Sequence, residues 1–226
     1  MHPPLAVDID GTLTDDARAL DPRVVDPLRS WPAPVVVATG KALPYPVGLC
    51  EFLGLPVRVI AENGGATYLA DDDDLTFHGD REAARAVVEA YRDAGYDLGW
   101  GAVDLVNRWR ETEVAVNVDQ PLDPLRDVAE RRGMRVFDTG YAYHVTTPDV
   151  DKGVALRSVA ERLDYDPAQF AAVGDSENDA GMLDVAGTSF AVANADEAAK
   201  AAAGDVTEGS FADGFLEALD RIRGAR

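Results

Sequence analysis

Apolar runs of four or five residues recur near both ends of the chain, and segments with a helical spacing of apolar positions separate them. The runs are residues 5–9, 35–38, 57–60, 170–173 and 189–192. A short, nearly continuous apolar run bounded by turn residues is typical of a strand that is buried on both faces of a parallel sheet. Strands that alternate with helices in this way predict an α/β fold with a Rossmann-like parallel sheet as its core.

The middle of the chain follows a different pattern. A helical segment over residues 81–94 is followed by residues 113–118, where polar and apolar positions alternate. Such alternation predicts an antiparallel strand with one exposed face. A second helix and two further strands follow. The order expected for this unit is αββαββ, which requires one more strand between the two helices than the pattern itself marks. We therefore expect a small α+β cap domain over residues 80–151, inserted into a core domain that residues 1–79 and 152–226 form.

Four polar motifs stand at the ends of predicted strands or at the start of a predicted helix. They are Asp8-Ile9-Asp10-Gly11-Thr12-Leu13-Thr14, Thr39-Gly40, Asp151-Lys152-Gly153 and Gly174-Asp175-Ser176-Glu177-Asn178-Asp179. The carboxyl ends of parallel strands meet at one edge of a sheet, and this edge is where open α/β sheets bind ligands. The four motifs are therefore expected to form one site.

The first two motifs contain the groups needed to hydrolyse a phosphate ester. Asp8 and Asp10 are two residues apart on one strand, so their side chains project to the same side. Asp8 can attack phosphorus and form an aspartyl-phosphate, and Asp10 can protonate the leaving alkoxide and later activate a water molecule. Thr39 and Gly40 can offer a hydroxyl and backbone N–H groups to a phosphate oxygen. The alternative is that these residues only form turns and cap helices.

The last two motifs can hold a phosphate and a metal ion. A lysine in the first turn of a helix opposes the helix dipole, and binding a phosphate oxygen gives Lys152 a reason for that position; the alternative is an exposed surface lysine. Asp175 can coordinate magnesium, which prefers oxygen ligands in an octahedral shell. Asp179 can hold a metal-bound water or orient Lys152. Magnesium would relieve the repulsion between a carboxylate and a dianionic ester.

Together and in this order, the motifs resemble those of the haloacid dehalogenase-like (HAD) superfamily, and the last motif and the cap position resemble its Cof-like branch. The resemblance implies that Asp8 is the nucleophile and Asp10 the general acid/base. It also implies that Thr39 and Lys152 are phosphate ligands. The Mg²⁺ ligands that it implies are the carboxylates of Asp8 and Asp175 and the main-chain carbonyl of Asp10, with Asp179 in or near that shell.

The longest interval between motifs runs from Thr39 to Lys152, so the inserted unit resembles a C2-type cap. Its small size resembles that of archaeal phosphoglycolate phosphatases and of sucrose-phosphate phosphatases. This implies a magnesium-dependent phosphatase that acts on a small phosphorylated acid, 2-phosphoglycolate. The carboxylate of such a substrate needs a basic cap residue, and the candidates are Arg108, Arg110 and His144. Alternatives are a sugar-phosphate or mannosyl-3-phosphoglycerate phosphatase, a phosphotransferase, or a noncatalytic binding module.

The net charge of −20 argues against a nucleic-acid partner, because polyphosphate backbones need clustered basic residues. Lysine occurs only at positions 41, 152 and 200. An acidic, lysine-poor surface fits a protein that works in high salt, where self-repulsion is screened. The alternative is an ordinary acidic protein from a GC-rich genome, which also favours arginine over lysine.

Membrane and secretory classes are also disfavoured. No apolar run approaches the ~20 residues that span a bilayer, and the chain reaches charged residues too early for a signal peptide. The single cysteine, Cys50, cannot form an internal disulfide. We expect a cytoplasmic monomer or homodimer. The four aspartates at residues 71–74 predict a solvated acidic loop, because consecutive carboxylates cannot all converge on one ion.

Overall fold

Helices and strands alternate at both ends of the chain, as the apolar pattern predicts. The computed structural model describes residues 2–224. Its strands are β1 (Leu5–Asp8), β2 (Val35–Ala38), β3 (Arg58–Ala61), β4 (Ala66–Leu69), β5 (Asp74–Phe77), β6 (Val114–Asn117), β7 (Arg135–Asp138), β8 (Ala142–Thr146), β9 (Ala171–Gly174), β10 (Thr188–Ala191) and β11 (Asp205–Val206). Its α-helices are α1 (Val25–Arg29), α2 (Pro44–Leu53), α3 (Arg81–Asp93), α4 (Leu122–Glu130), α5 (Lys152–Arg162), α6 (Ala180–Val185), α7 (Glu197–Ala202) and α8 (Phe211–Gly224).

The larger sheet has eight strands in the order β11-β10-β9-β1-β2-β3-β4-β5. The strands from β11 to β3 run parallel, and β1 lies between β9 and β2. Every residue of these three central strands is buried, which explains why their sequences are apolar except for Asp8 at the end of β1. The predicted α/β fold class with a parallel core sheet is confirmed.

Strand register places the motifs side by side. Asp8, the last residue of β1, pairs with Ala38 of β2, so Thr39 follows next to it. On the other side of β1, Val7 pairs with Val173 of β9, and Gly174 and Asp175 therefore continue at the same level. The three strand-end motifs thus leave the sheet at one edge.

Strands β4 and β5 form an antiparallel hairpin that extends this sheet beyond β3, a hairpin that the apolar pattern did not predict. The acidic residues 71–74 lie at its turn and are exposed. Asp71 pairs with Arg58, and Asp72 pairs with Arg162. The prediction of a solvated acidic loop is confirmed for this run.

The smaller sheet consists of three antiparallel strands in the order β6-β8-β7. Its apolar residues pack with those of α3 and α4 into a second core, which includes Val87, Tyr91, Val116, Leu125 and Val145. The α3 helix begins at the N-cap Asp80, whose side chain accepts a hydrogen bond from the backbone N–H of Ala83. The domain boundaries at residues 79/80 and 151/152 remain a prediction.

The expected order αββαββ is wrong by one strand, because the described chain has the order α3-β6-α4-β7-β8 here. Residues 97–112 form a loop instead of a strand before β6. The free edge of β6 is satisfied by side chains of this loop: Asn107 Nδ2 and Trp100 Nε1 both donate to the carbonyl of Ala115, each over 2.8 Å. Gly99 and Gly101 have φ of +74°, which is incompatible with a continuous strand.

Within residues 2–224, no helix combines the length and the apolar character needed to cross a membrane.

Candidate active site

Asp8 lies at the floor of the site and is almost fully buried, with 4% of its surface exposed. Its Oδ1 accepts a hydrogen bond from Lys152 Nζ over 2.7 Å, whereas its Oδ2 is buried without a partner among the described residues. The chain turns away from β1 at Gly11, which has φ of +83°. Gly11 N–H donates to Thr14 Oγ1 over 2.9 Å and fixes this turn. One carboxylate oxygen of Asp8 is therefore held and the other is left without a partner.

Lys152 is completely buried between two carboxylates. Its Nζ lies 2.7 Å from Asp8 Oδ1 and 2.6 Å from Asp179 Oδ1. Burial alone lowers the pKa of a lysine, but Asp179 and Asp8 together raise the pKa of Lys152 above its ordinary value, so the ammonium stays charged. The predicted lysine is therefore in the site, and the alternative of an exposed surface lysine is excluded by its burial.

Three carboxylates converge where a divalent cation can bind. Oxygen atoms of Asp8, Asp175 and Asp179 lie within 4.8 Å of one another. Burial raises the pKa of Asp8 to about 7 and that of Asp175 to about 9, with the neighbouring carboxylates adding to the shift and Lys152 opposing it. Asp175 Oδ1, like Asp8 Oδ2, is buried without a partner among residues 2–224. Unpaired buried carboxylate oxygens of this kind fit a hard cation that prefers oxygen ligands.

Asp179 and Asp10 contribute in other ways. Asp179 Oδ2 accepts the backbone N–H groups of Asp175 and Ser176 over 3.0 and 3.2 Å, so both of its oxygens already have partners. The Asp10 side chain is outside the cation cluster, and its Oδ2 accepts a hydrogen bond from Lys41 Nζ. Its other oxygen has no partner among the described side chains.

Thr39 and Gly40 flank these carboxylates. Thr39 is buried, and its Oγ1 accepts the backbone N–H of Lys41 over 3.1 Å, which leaves the hydroxyl proton available to an anion. Gly40 lines the cavity, and a Cβ at this position would press on Asn63 Oδ1. Gly40 therefore has no room for a side chain on the side that faces Asn63.

A cavity of about 400 Å³ opens above these groups. Both the core part of the chain and the inserted segment contribute to its walls. The residues on the core side are Asp8, Asp10, Arg18, Gly40, Lys41, Ala42, Tyr45, Asp175, Ser176 and Asn178, and those from the inserted segment are Val106, Arg110, Thr139, Tyr141 and His144. Of the three basic residues predicted for the cap, Arg110 and His144 line this cavity, whereas Arg108 lines a separate one beside α3.

A buried polar network connects the inserted segment to the sheet edge where the motifs lie. Glu113 is buried and holds both Arg110 and His144, the latter over 3.0 Å. Asn63 Nδ2 donates to Glu113 Oε2 over 2.9 Å, and Asn63 Oδ1 accepts from Asn178 Nδ2 over 2.9 Å. Arg110 and His144 keep the pKa of Glu113 below its ordinary value, although burial opposes them.

Glu62 makes a second connection. It is fully buried, and its carboxylate accepts the backbone N–H groups of Glu111 and Thr112 as well as the Thr112 hydroxyl. Burial raises its pKa. Glu62 and Asn63 have φ of +52° and +55°, which is uncommon outside glycine. The sequence pattern marks Glu-Asn-Gly-Gly after β3 as a turn, but it does not indicate that these two side chains contact the inserted segment.

The chain matches known proteins over its length. A family model described as haloacid dehalogenase-like hydrolase matches residues 125–219. A Natronomonas pharaonis protein named phosphoglycolate phosphatase is 62% identical over 226 residues, which is 100% of both chains. A Haloarcula marismortui protein of the same name is 62% identical over 221 residues, covering 98% of this chain and 97% of its own. A crystal structure of a Thermoplasma acidophilum protein superposes with a TM-score of 0.86 and 27% identity, covering 99% of each chain.

The relative that is 62% identical over the full length, together with the family model, shows the class to which this protein belongs. The chain belongs to the haloacid dehalogenase-like hydrolases, as its four motifs predict.

Gly11 offers a test of the geometry at this edge. Replacing it with alanine is expected to lower kcat about 100-fold, because the added Cβ would overlap Asp175 Oδ2 and displace that carboxylate. The left-handed backbone adds a stability cost of about 1–2 kcal/mol. Release of phosphate from p-nitrophenyl phosphate and thermal unfolding measure the two effects.

Gly95→Ala is the matched control for this substitution. Gly95 has φ of +93° and no atom within 4 Å of an added Cβ, so only the backbone cost should appear. If Gly11→Ala lost stability as Gly95→Ala does and kept its kcat, the close approach of Gly11 to Asp175 would have no catalytic importance.

Proposed function

We propose that the protein is a magnesium-dependent phosphatase that hydrolyses 2-phosphoglycolate to glycolate and phosphate through an aspartyl-phosphate. The observation that carries this proposal is the state of Asp8. Asp8 lines the cavity, the buried Lys152 holds one of its oxygens, and the other oxygen has no partner among residues 2–224. A nucleophile needs this combination of fixed orientation and one free oxygen.

The proposed reaction has two displacements at phosphorus. In the first, Asp8 Oδ2 forms a bond to phosphorus while the bond from phosphorus to the glycolate oxygen breaks, and Asp10 gives its proton to that oxygen. In the second, Asp10 takes a proton from water, the water oxygen attacks phosphorus, and the bond to Asp8 breaks. Lys41 holds one Asp10 oxygen and leaves the other for proton transfer.

Lys152 and Thr39 stabilise the phosphoryl oxygens in this proposal. Lys152 is fixed by Asp179, which keeps it charged and oriented. The Thr39 hydroxyl proton is not donated to any described residue, and the backbone of Gly40 lines the same cavity. Positioned donors of this kind lower the barrier because charge spreads over these oxygens in the transition state.

The metal is the second part of the proposal. Asp175 Oδ1 would bind magnesium directly, since it is buried without a partner among residues 2–224. The Asp10 main-chain carbonyl and the Asp8 carboxylate would complete the protein ligands, and Asp8 would use the oxygen that does not attack phosphorus. Asp179 would act from outside that shell, because Lys152 and two backbone N–H groups occupy its oxygens. The bound ion would offset the repulsion between the Asp8 carboxylate and the phosphate dianion.

Removal of the metal is expected to stop phosphate release. Treatment with excess EDTA should lower activity by about three orders of magnitude or more, and magnesium added beyond the chelator should restore it. Calcium should not restore full activity, because its larger and more flexible shell fits an octahedral site poorly. Activity that persists after dialysis against chelator would contradict the metal assignment.

Two observations support 2-phosphoglycolate as the substrate. Relatives that are 62% identical carry the name phosphoglycolate phosphatase, and the cavity of about 400 Å³ suits a small ester. A panel with magnesium should therefore show the highest kcat/KM for 2-phosphoglycolate, compared with hexose phosphates and mannosyl-3-phosphoglycerate. A strong preference for hexose phosphates would overturn the substrate and leave the mechanism. Transfer of phosphate to an added alcohol instead of water would indicate a phosphotransferase.

We also propose that the protein works in a cytoplasm of high salt. The support is its net charge of −20, with lysine at only three positions. Mutual repulsion of surface carboxylates extends over about 10 Å at 0.1 M salt but only about 3 Å at 1 M.

Stability is accordingly expected to depend on salt. The Tm should rise by about 10 °C or more between 0.1 and 1 M KCl, as screening removes repulsion that destabilises the folded chain. A series in sucrose at 0.1 M KCl controls for general exclusion effects of cosolutes. A Tm that is constant across the KCl series would show that the charge has no such role.

A further inference from the structure

We propose that Arg18 binds the carboxylate of the substrate and so selects a phosphorylated acid over a neutral phosphate ester. The proposal rests on the phosphatase function proposed above and names a specificity residue for it. Arg18 belongs to the core part of the chain, in the loop over residues 15–19, and lines the same cavity as Asp8 and Asp10.

The loop that carries Arg18 is tightly built. Thr14 and Leu20 form an isolated bridge at its base. Asp15 Oδ1 accepts the backbone N–H groups of Ala17 and Ala19, each over 2.9 Å. Arg18 has φ of +64°, a left-handed conformation that is uncommon for arginine. Such a backbone persists only where its surroundings enforce it, and it often marks a residue with a function.

The guanidinium of Arg18 lies over an aromatic ring and makes no hydrogen bond to another described residue. Its central carbon lies 4.9 Å from the ring centroid of Tyr141, which comes from the inserted segment. A guanidinium that contacts a ring through its face keeps its in-plane N–H groups for other partners. These N–H groups form the fork that matches a carboxylate. No carboxylate within the described residues pairs with Arg18.

The other basic groups that line the cavity are engaged. Lys41 pairs with the general acid/base of the proposed mechanism. Arg110 pairs with Glu113 and donates to two backbone carbonyls, and His144 contacts the same Glu113 carboxylate. The charge of Arg110 is therefore neutralised within the wall. Arg18 remains as the cation of this cavity without a carboxylate partner in the described chain. It would place the carboxylate ligand on the core part of the chain, whereas the candidates expected from the sequence, Arg108, Arg110 and His144, belong to the cap.

The test compares two substrates that differ only at the carboxylate. Ethyl phosphate is 2-phosphoglycolate with a methyl group in place of the carboxylate. For Arg18→Gln, the KM for 2-phosphoglycolate should rise about 10- to 100-fold with kcat within about twofold. The kcat/KM for ethyl phosphate should stay within about twofold. Arg18→Lys should recover part of the lost affinity, since it keeps the charge but not the fork.

Arg223→Gln is the matched control. Arg223 also lies over an aromatic ring, with its central carbon 5.4 Å from the centroid of Trp31, but it does not line the cavity. This variant should treat both substrates as the wild type does.

Two results would overturn the proposal for Arg18. One is an equal loss on both substrates, which would indicate a structural role for the loop. The other is an unchanged KM for 2-phosphoglycolate. The proposed function is judged separately, from the wild type alone: a wild type without preference for 2-phosphoglycolate refutes the substrate, whereas a preference that survives in Arg18→Gln refutes only the role of Arg18.

Discussion

Replacing Asp8 with asparagine is expected to abolish phosphate release from 2-phosphoglycolate, with kcat lower by about four orders of magnitude or more. The amide cannot form the bond to phosphorus that the carboxylate forms. Its shape is that of aspartate, and its oxygen can still accept the hydrogen bond that Lys152 donates over 2.7 Å. The fold should therefore be retained, as measured by circular dichroism and thermal unfolding alongside the assay.

Asp16→Asn is the control for this experiment. Asp16 is exposed on the neighbouring loop, and its substitution removes the same charge without touching the cavity. Its kcat and KM should match those of the wild type. Undiminished turnover in a folded Asp8→Asn protein would refute the covalent mechanism.

The substitution Lys152→Met should have the second largest effect, because it acts on stability and on activity together. It leaves the buried carboxylates of Asp8 and Asp179 without their shared cation. Loss of one member of a buried charge group costs about 3–5 kcal/mol. The kcat/KM should fall by about three orders of magnitude, since a phosphate ligand is lost and the nucleophile is no longer oriented. Urea unfolding and steady-state kinetics measure the two effects.

A double substitution separates these effects. Asp179→Asn in the Lys152→Met background removes one of the two unpaired charges, so the combined loss of stability should be smaller than the sum of the single losses. Activity should not return. Lys200→Met is the control, because Lys200 is partly exposed and its ion pair with Glu197 is long, at 3.9 Å. An unchanged kcat/KM in Lys152→Met would remove this lysine from the site.

Much of the core could be predicted from the sequence, because burial in a parallel sheet leaves a local record. The apolar run that ends at Asp8 and the run that ends at Asp175 each mark a strand and its polar end. The helix that begins at Lys152 was also predictable from the polar residue that caps it and the apolar spacing that follows. The convergence of the motifs then follows from the rule that parallel strands end at one edge.

The cap was harder to predict because its loop replaces secondary structure with side-chain contacts. Residues 97–112 contain apolar residues such as Trp100 and Val103, and the expected order αββαββ requires a strand in this interval. In the folded chain, Asn107 and Trp100 satisfy the edge of β6 instead. The spacing of these residues follows neither the helical nor the strand period, so a single sequence gives no signal of the contacts between them.

The roles of the basic residues also depended on contacts that the sequence does not record. Arg110 is a reasonable carboxylate ligand until its pairing with Glu113 is known. Arg18 carries no motif, and its importance comes from its left-handed backbone and its position over Tyr141. Asn63 forms hydrogen bonds with both Glu113 and Asn178. These three residues are far apart in the sequence, and only the folded structure brings their side chains together.

Trapping the phosphoenzyme tests the central claim most directly. Enzyme mixed with 2-phosphoglycolate and magnesium should be quenched in acid during turnover and treated with borohydride, which reduces an aspartyl-phosphate to homoserine and leaves free carboxylates intact. Peptide mass spectrometry should then find homoserine at position 8 and at no other aspartate. Unmodified Asp8 in every quenched sample of a turning-over enzyme, or homoserine at position 10 or 175 in its place, would contradict the assignment of Asp8 as the nucleophile.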